Sequence, residues 1–207
     1  MRKMRIITLI TLTIGLAINL SGMGTWAAFT SSTSNTGNSF TSGTVVLTDD
    51  DGGSSSMFTA TNIKPAETFT RCIAVSYTGS LPANVTLFRG SGGFGGTGLE
   101  AYLDLRVTRG TGSTFAAGSA CTGFTPDATE YILGAGNGVV FNTAAITSYP
   151  LEVGVPIIDP VSVTPEVWTN PETHVYRFEV TLQSGAPAAA QGLTANAIEF
   201  VWKATNT

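Results

Sequence analysis

Apolar and polar residues alternate along most of the chain with a period of two, the repeat of a half-buried β-strand. The clearest instance is residues 174–183. There His174, Tyr176, Phe178, Val180 and Leu182 fall on one face, and Val175, Arg177, Glu179, Thr181 and Gln183 on the other. Residues 197–204 repeat the pattern, with Ile198, Phe200 and Trp202 inward. Further strands are expected at residues 43–48, 57–63, 69–77, 84–88 and 104–108. Asp and Gly at 49–53 and Lys64-Pro65 supply the stops between the first three. Residues 89–98 hold six Gly in ten and read as a loop, and residues 99–103 as one helical turn. Residues 110–129 are rich in Gly, Thr and Ala and carry no period. Many short alternating strands with regular turn signals predict an all-β fold, an antiparallel β-sandwich with short helical turns in its loops.

The N-terminus departs from this pattern. Arg2, Lys3 and Arg5 precede an apolar run over residues 6–20, and Ser21-Gly22-Met23-Gly24-Thr25-Trp26-Ala27-Ala28 follows. A positive start, a short apolar stretch and a small-residue exit make a secretory signal peptide. The run falls short of the ~20 apolar residues of a membrane span. Residues 1–27 are therefore expected to be removed between Ala27 and Ala28. The mature chain would reach an oxidising compartment, secreted or at the cell surface, with no membrane segment left.

Composition removes other functions. The 207 residues include 10 Lys or Arg against 14 Asp or Glu, a net charge of −4. Without a basic cluster the chain is a poor binder of nucleic acid. The single His and two Cys cannot build a four-ligand zinc site of the Cys/His kind. No Gly-x-Ser-x-Gly elbow occurs, and the Gly-rich stretch 92–98 has no Lys and no following helix to cradle phosphate. Asp49-Asp50-Asp51-Gly52 is the one acidic cluster. It reads first as a hairpin turn and second as a weak Ca²⁺ loop, since the spacing of an EF-hand is missing. Cys72 and Cys121 most simply pair in an exported chain, which would pin the aperiodic 110–129 stretch onto the strand that carries Cys72; two buried free thiols are the alternative.

Five segments carry a family resemblance. Gly24-Thr25-Trp26-Ala27-Ala28-Phe29 resembles the leader exit of TasA-type biofilm fibre proteins and their camelysin relatives, and the stretch from Asn38-Ser39-Phe40 to Gly43-Thr44-Val45 resembles their first strand. Asn62-Ile63-Lys64-Pro65-Ala66-Glu67 and Thr78-Gly79-Ser80-Leu81 are similar to the family's Asn-Leu-Lys-Pro-Gly-Asp turn and Asn-Gly-Ser-Leu step, and Asn196 to Thr205 to its closing strand. Ala66 stands where the family turn has Gly, and the Cys pair is foreign to the pattern. The resemblance implies a jelly-roll sandwich over residues 39–207, removal of the leader by a signal peptidase of the SipW kind, and assembly into surface fibres, with a cell-surface anchor protein as a further partner.

Self-assembly also has a reason in the residues themselves. Mature residues 28–38 would begin Ala28, Phe29, Thr30, Ser31, Ser32, Thr33, with no charge and no Pro. Such a segment suits addition to a neighbour's sheet edge, and a head-to-tail contact that does not close gives a filament. The plainer reading is a disordered terminus. The camelysin likeness carries a second implication, a secreted metallo-endopeptidase. That chemistry needs His or carboxylate ligands and a general base. His174 and Glu172 with remote Asp residues are the candidates, although a lone His at a strand start is ordinarily a core-edge residue. A third option is a surface protein that binds carbohydrate, with Trp168 and Tyr149 stacking on sugars.

Overall fold

The computed structural model of the chain describes residues 41–52, 56–115, 121–160 and 166–207. The expected signal peptide, the expected Ala27–Ala28 cleavage point and the segment from Ala28 and Phe29 through residue 38 lie outside them. Ser42–Thr207 forms one compact unit built from antiparallel strands.

The strands in chain order are β1 (Leu47–Asp49), β2 (Thr68–Tyr77), β3 (Ala83–Arg89), β4 (Gly95–Gly96), β5 (Leu103–Thr111), β6 (Thr125–Pro126), β7 (Val139–Ala145), β8 (Ile157–Asp159), β9 (Glu172–Leu182), β10 (Ala195–Asn196) and β11 (Phe200–Asn206). Short 3₁₀ turns occupy Leu99–Tyr102, Ile146–Ser148 and Ala188–Ala190. One sheet runs β1-β2-β9-β5-β6, with β7 also paired to β5; a second runs β11-β3-β8; β10 and β4 form a small ribbon. The two larger sheets face each other across a single apolar core.

The period-two pattern decides what that core contains. Ile73, Val75 and Tyr77 of β2, Leu103, Leu105 and Val107 of β5, and Tyr176, Phe178, Val180 and Leu182 of β9 are all buried. Val85 and Leu87 of β3 close the core from the other sheet. Burying a side chain of this size contributes roughly 1.5–3 kcal/mol, so these strands hold most of the apolar stabilisation. Trp168 and Tyr149 also belong to the core, at 0% and 2% exposure. Neither presents a face on which a sugar could stack, which corrects the carbohydrate expectation.

Other differences are local. Residues 57–63 form no strand; Met57, Phe58 and Ile63 instead pack as partly buried side chains against the core edge. β11 starts at Phe200, after Ile198. β7 and β8 arise where the sequence carries no clean alternation. The Thr78-Gly79-Ser80-Leu81 step packs against the chain entering β1: the Leu81 N–H donates to the Thr44 carbonyl at 3.2 Å and the Thr44 N–H to Ser80 Oγ at 2.8 Å. Gly79 is required there, because a Cβ would lie 2.6 Å from the Thr44 carbonyl oxygen and closer still to the Tyr77 hydroxyl.

The outer face of β2 and β9 carries a smaller apolar cluster of Cys72, Ala74 and Val175, covered by Cys121 and Phe124. Cys72 and Cys121, 49 positions apart, are joined by a disulfide. The Arg177 guanidinium lies 4.8 Å from the centre of the Phe124 ring. The aperiodic stretch is thus fastened to the sheet where the Cys spacing suggested.

Candidate functional site

β5 points Leu103, Leu105 and Val107 into the sandwich, and the same alternation carries Arg109 inward to 2% exposure. A guanidinium there loses most of its hydration and needs partners. It has them on every side. Nη1 donates to Asp127 Oδ2 at 2.6 Å and to the Tyr131 hydroxyl at 3.0 Å. Nη2 lies 2.9 Å from Glu166 Oε2 and 2.7 Å from His174 Nε2. Nε lies 3.1 Å from Asp159 Oδ2. These partners come from three separate parts of the chain: the segment after β6, the end of β8 with the residues that follow it, and the start of β9.

Each partner is itself positioned. The Asp127 N–H donates to the Arg109 carbonyl at 3.1 Å, which registers the loop on β5. Gly110 allows this close crossing, since a Cβ at that position would lie 2.1 Å from the Thr125 carbonyl oxygen. The Tyr131 hydroxyl donates to Asp127 Oδ2 at 2.8 Å. Trp168 exchanges backbone hydrogen bonds with Ala83 at 2.8 and 3.1 Å. Its ring meets His174 edge to face at 4.7 Å between centroids. Glu172 Oε1 lies 2.8 Å from His174 Nε2, and Glu172 Oε2 accepts the Thr169 N–H at 2.7 Å.

Burial sets the electrostatics. It pushes the Asp159 carboxyl up to about 6, against the opposing pull of Arg109. Burial and the hydrogen bond with Asp127 push Tyr131 up to about 12. Burial alone would ease the proton off Arg109; Asp159, first among its neighbours, reverses this and holds the guanidinium above its usual value. The Tyr176 hydroxyl, opposite Arg109 in the β5–β9 register, is driven well above its ordinary range, chiefly by burial.

The structure therefore brings together His174, Glu172 and two remote Asp residues, the set the peptidase expectation needs. It also places Arg109 among them, which the sequence reading did not foresee. The available signal was the continuation of the β5 alternation by one more inward position. Among the described residues, Glu166, Glu172 and His174 are the ones whose ligand atoms approach within metal-binding range of one another. They do not fit a metal. Arg109 Nη2 sits against both Glu166 and His174, and a guanidinium only donates. With its proton on Nε2, His174 donates to Glu172; without it, Nε2 accepts from Arg109. In neither state is that lone pair free for an ion.

The acidic turn is likewise engaged. Asp50 accepts the Ala74 N–H at 2.8 Å through Oδ1 and the Phe115 N–H through Oδ2, so its carboxylate ties β2 to the disulfide-bearing stretch. Asp49 is raised above the ordinary carboxylate range by burial and by its contact with Asp51. Gly52 completes the turn at φ 64°.

Among the described residues no helix is long and apolar enough to cross a membrane. No curated protein matches the chain. Residues 2–90 match the family model described as camelysin metallo-endopeptidase, a range that ends before Arg109, Asp159 and His174. Over those residues, which take in β1 to β3, the chain is similar to the camelysin family.

Proposed function

We propose that this chain is a secreted structural protein that polymerises head to tail into extracellular or biofilm-matrix fibres, each subunit giving residues 28–38 as a strand to the next. The observation that carries the reading is an apolar groove of about 340 Å³ between the two sheets. Phe69, Leu103 and Val180 line it from one sheet, Phe200 from the other, together with Met57 and Ile198. It matches the chemistry of a segment whose only large apolar side chain is Phe29. Main-chain pairing supplies affinity in such an arrangement, and a seated side chain fixes register. The family match through the leader supports release by a signal peptidase, and a surface anchor is a natural further partner for a fibre subunit.

Negative-stain microscopy of the secreted chain tests this. Fibres are expected from the native chain. Deletion of residues 28–38, or Phe29→Asp, is expected to leave a folded monomer, because a charge placed in the groove opposes insertion. Fibres that persist after both changes would refute the donor role. The family description also supports a second reading, a secreted metallo-endopeptidase. Casein digestion that chelator abolishes would favour it.

A further inference from the structure

The groups that a metallopeptidase would recruit are gathered on a side chain that excludes a metal. We propose that Arg109 is the resident cation of this cluster, so that the native chain takes no divalent metal there, and that a neutral side chain at position 109 opens a latent divalent-cation site. This goes beyond the fibre reading and does not rest on it.

The argument begins with position. Arg109 lies within β5, between Thr108 and Gly110, and is buried. Asp127, Asp159, Glu166 and His174 each place an atom within 3.1 Å of its guanidinium. Glu172 reaches the same centre through His174. The sandwich thus surrounds one positive side chain with four carboxylates and one imidazole. A planar, delocalised cation with fixed donors suits this set, since it meets several carboxylates at once. A second cation there would face the guanidinium at close range.

One acceptor beside the guanidinium indicates what the site lacks. Asp159 Oδ1 is buried without a hydrogen-bond partner, as is Arg109 Nε itself. The guanidinium has therefore not exhausted the cluster's capacity to coordinate. Remove it, and oxygen donors with one imidazole nitrogen converge on the vacated centre. That donor set is taken by zinc or manganese and, with less nitrogen, by calcium.

The test is equilibrium dialysis of the native chain and of Arg109→Met against zinc chloride, after chelator treatment. Metal content and melting temperature are then measured with and without the ion. The native chain is expected to retain no zinc through His174 and to melt at the same temperature in both conditions. Arg109→Met, which keeps the apolar stem, is expected to bind zinc at least about tenfold more tightly than the native chain and to melt higher in its presence. Arg109→Met with His174→Ala should lose that gain. If Arg109→Met is unfolded without metal, recovery of native circular dichroism in zinc supports the proposal. Failure to recover refutes it, because a bound dication would restore the charge balance. Zinc retained by the native chain and lost in His174→Ala would also refute it.

Discussion

The Trp168 indole N–H donates to Asp159 Oδ2 at 3.2 Å, deep inside the sandwich. The same oxygen faces Arg109 Nε at 3.1 Å, while Oδ1 has no partner. Burial outweighs these partners, which is why the carboxyl sits at about 6 although an arginine is in contact.

The sign of the resulting pH dependence follows by linkage. In the folded chain Asp159 keeps its proton to about pH 6, against a reference of 3.8 once unfolded. Its contribution to stability is full below the unfolded value and is lost as pH rises through the folded one. Urea melts at about pH 4, 5.5 and 7 should show the native chain losing stability relative to Asp159→Asn as pH rises, by at most roughly 3 kcal/mol. A loss in the opposite direction would show that the Arg109 pair outweighs desolvation.

Ala66 offers a second test. The Glu67 N–H donates to the Lys64 carbonyl at 3.0 Å across a turn with Pro65 and Ala66 at its centre, and Ala66 has φ 65°. A type II turn places a residue of positive φ at that point, where a Cβ is unfavourable. Ala66→Gly, which restores the residue of the family turn, should raise stability by about 1 kcal/mol, measured by chemical denaturation.

The Cys72–Cys121 bond closes a separation of 49 positions and fastens the aperiodic stretch over Ala74 and Val175. Replacing both Cys by Ser should lower stability by about 2–4 kcal/mol. Limited proteolysis should then cut within residues 112–124 before any core strand. Cleavage elsewhere first would show that Asp50 and Phe124 hold the stretch without the covalent link.

The strands that carry a clean alternation were legible. Tyr176, Phe178, Val180 and Leu182 announce β9, and Ile73, Val75 and Tyr77 announce β2, because a one-residue slip would expose the whole set. Residues 57–63 imitate that pattern yet form no strand; their apolar side chains fill the edge between the sheets instead. The clamp was less legible. Gly110 opens the Gly- and Thr-rich stretch that reads as a break, so residues 104–108 stop one position short of Arg109. Its partners lie 18, 57 and 65 positions away, at distances no local spacing rule spans.

The strand order carries a consequence for how the chain is made. β9 lies between β2 and β5, so the central sheet joins Thr68–Tyr77 and Leu103–Thr111 only through Glu172–Leu182. A chain that emerges N-terminus first can pair β2 only with β1, and β5 only with β6 and β7, until Glu172–Leu182 is free. Such non-local pairing delays collapse. The two halves of the central sheet consequently join in one late event, when β9 pairs with β2 on one side and β5 on the other.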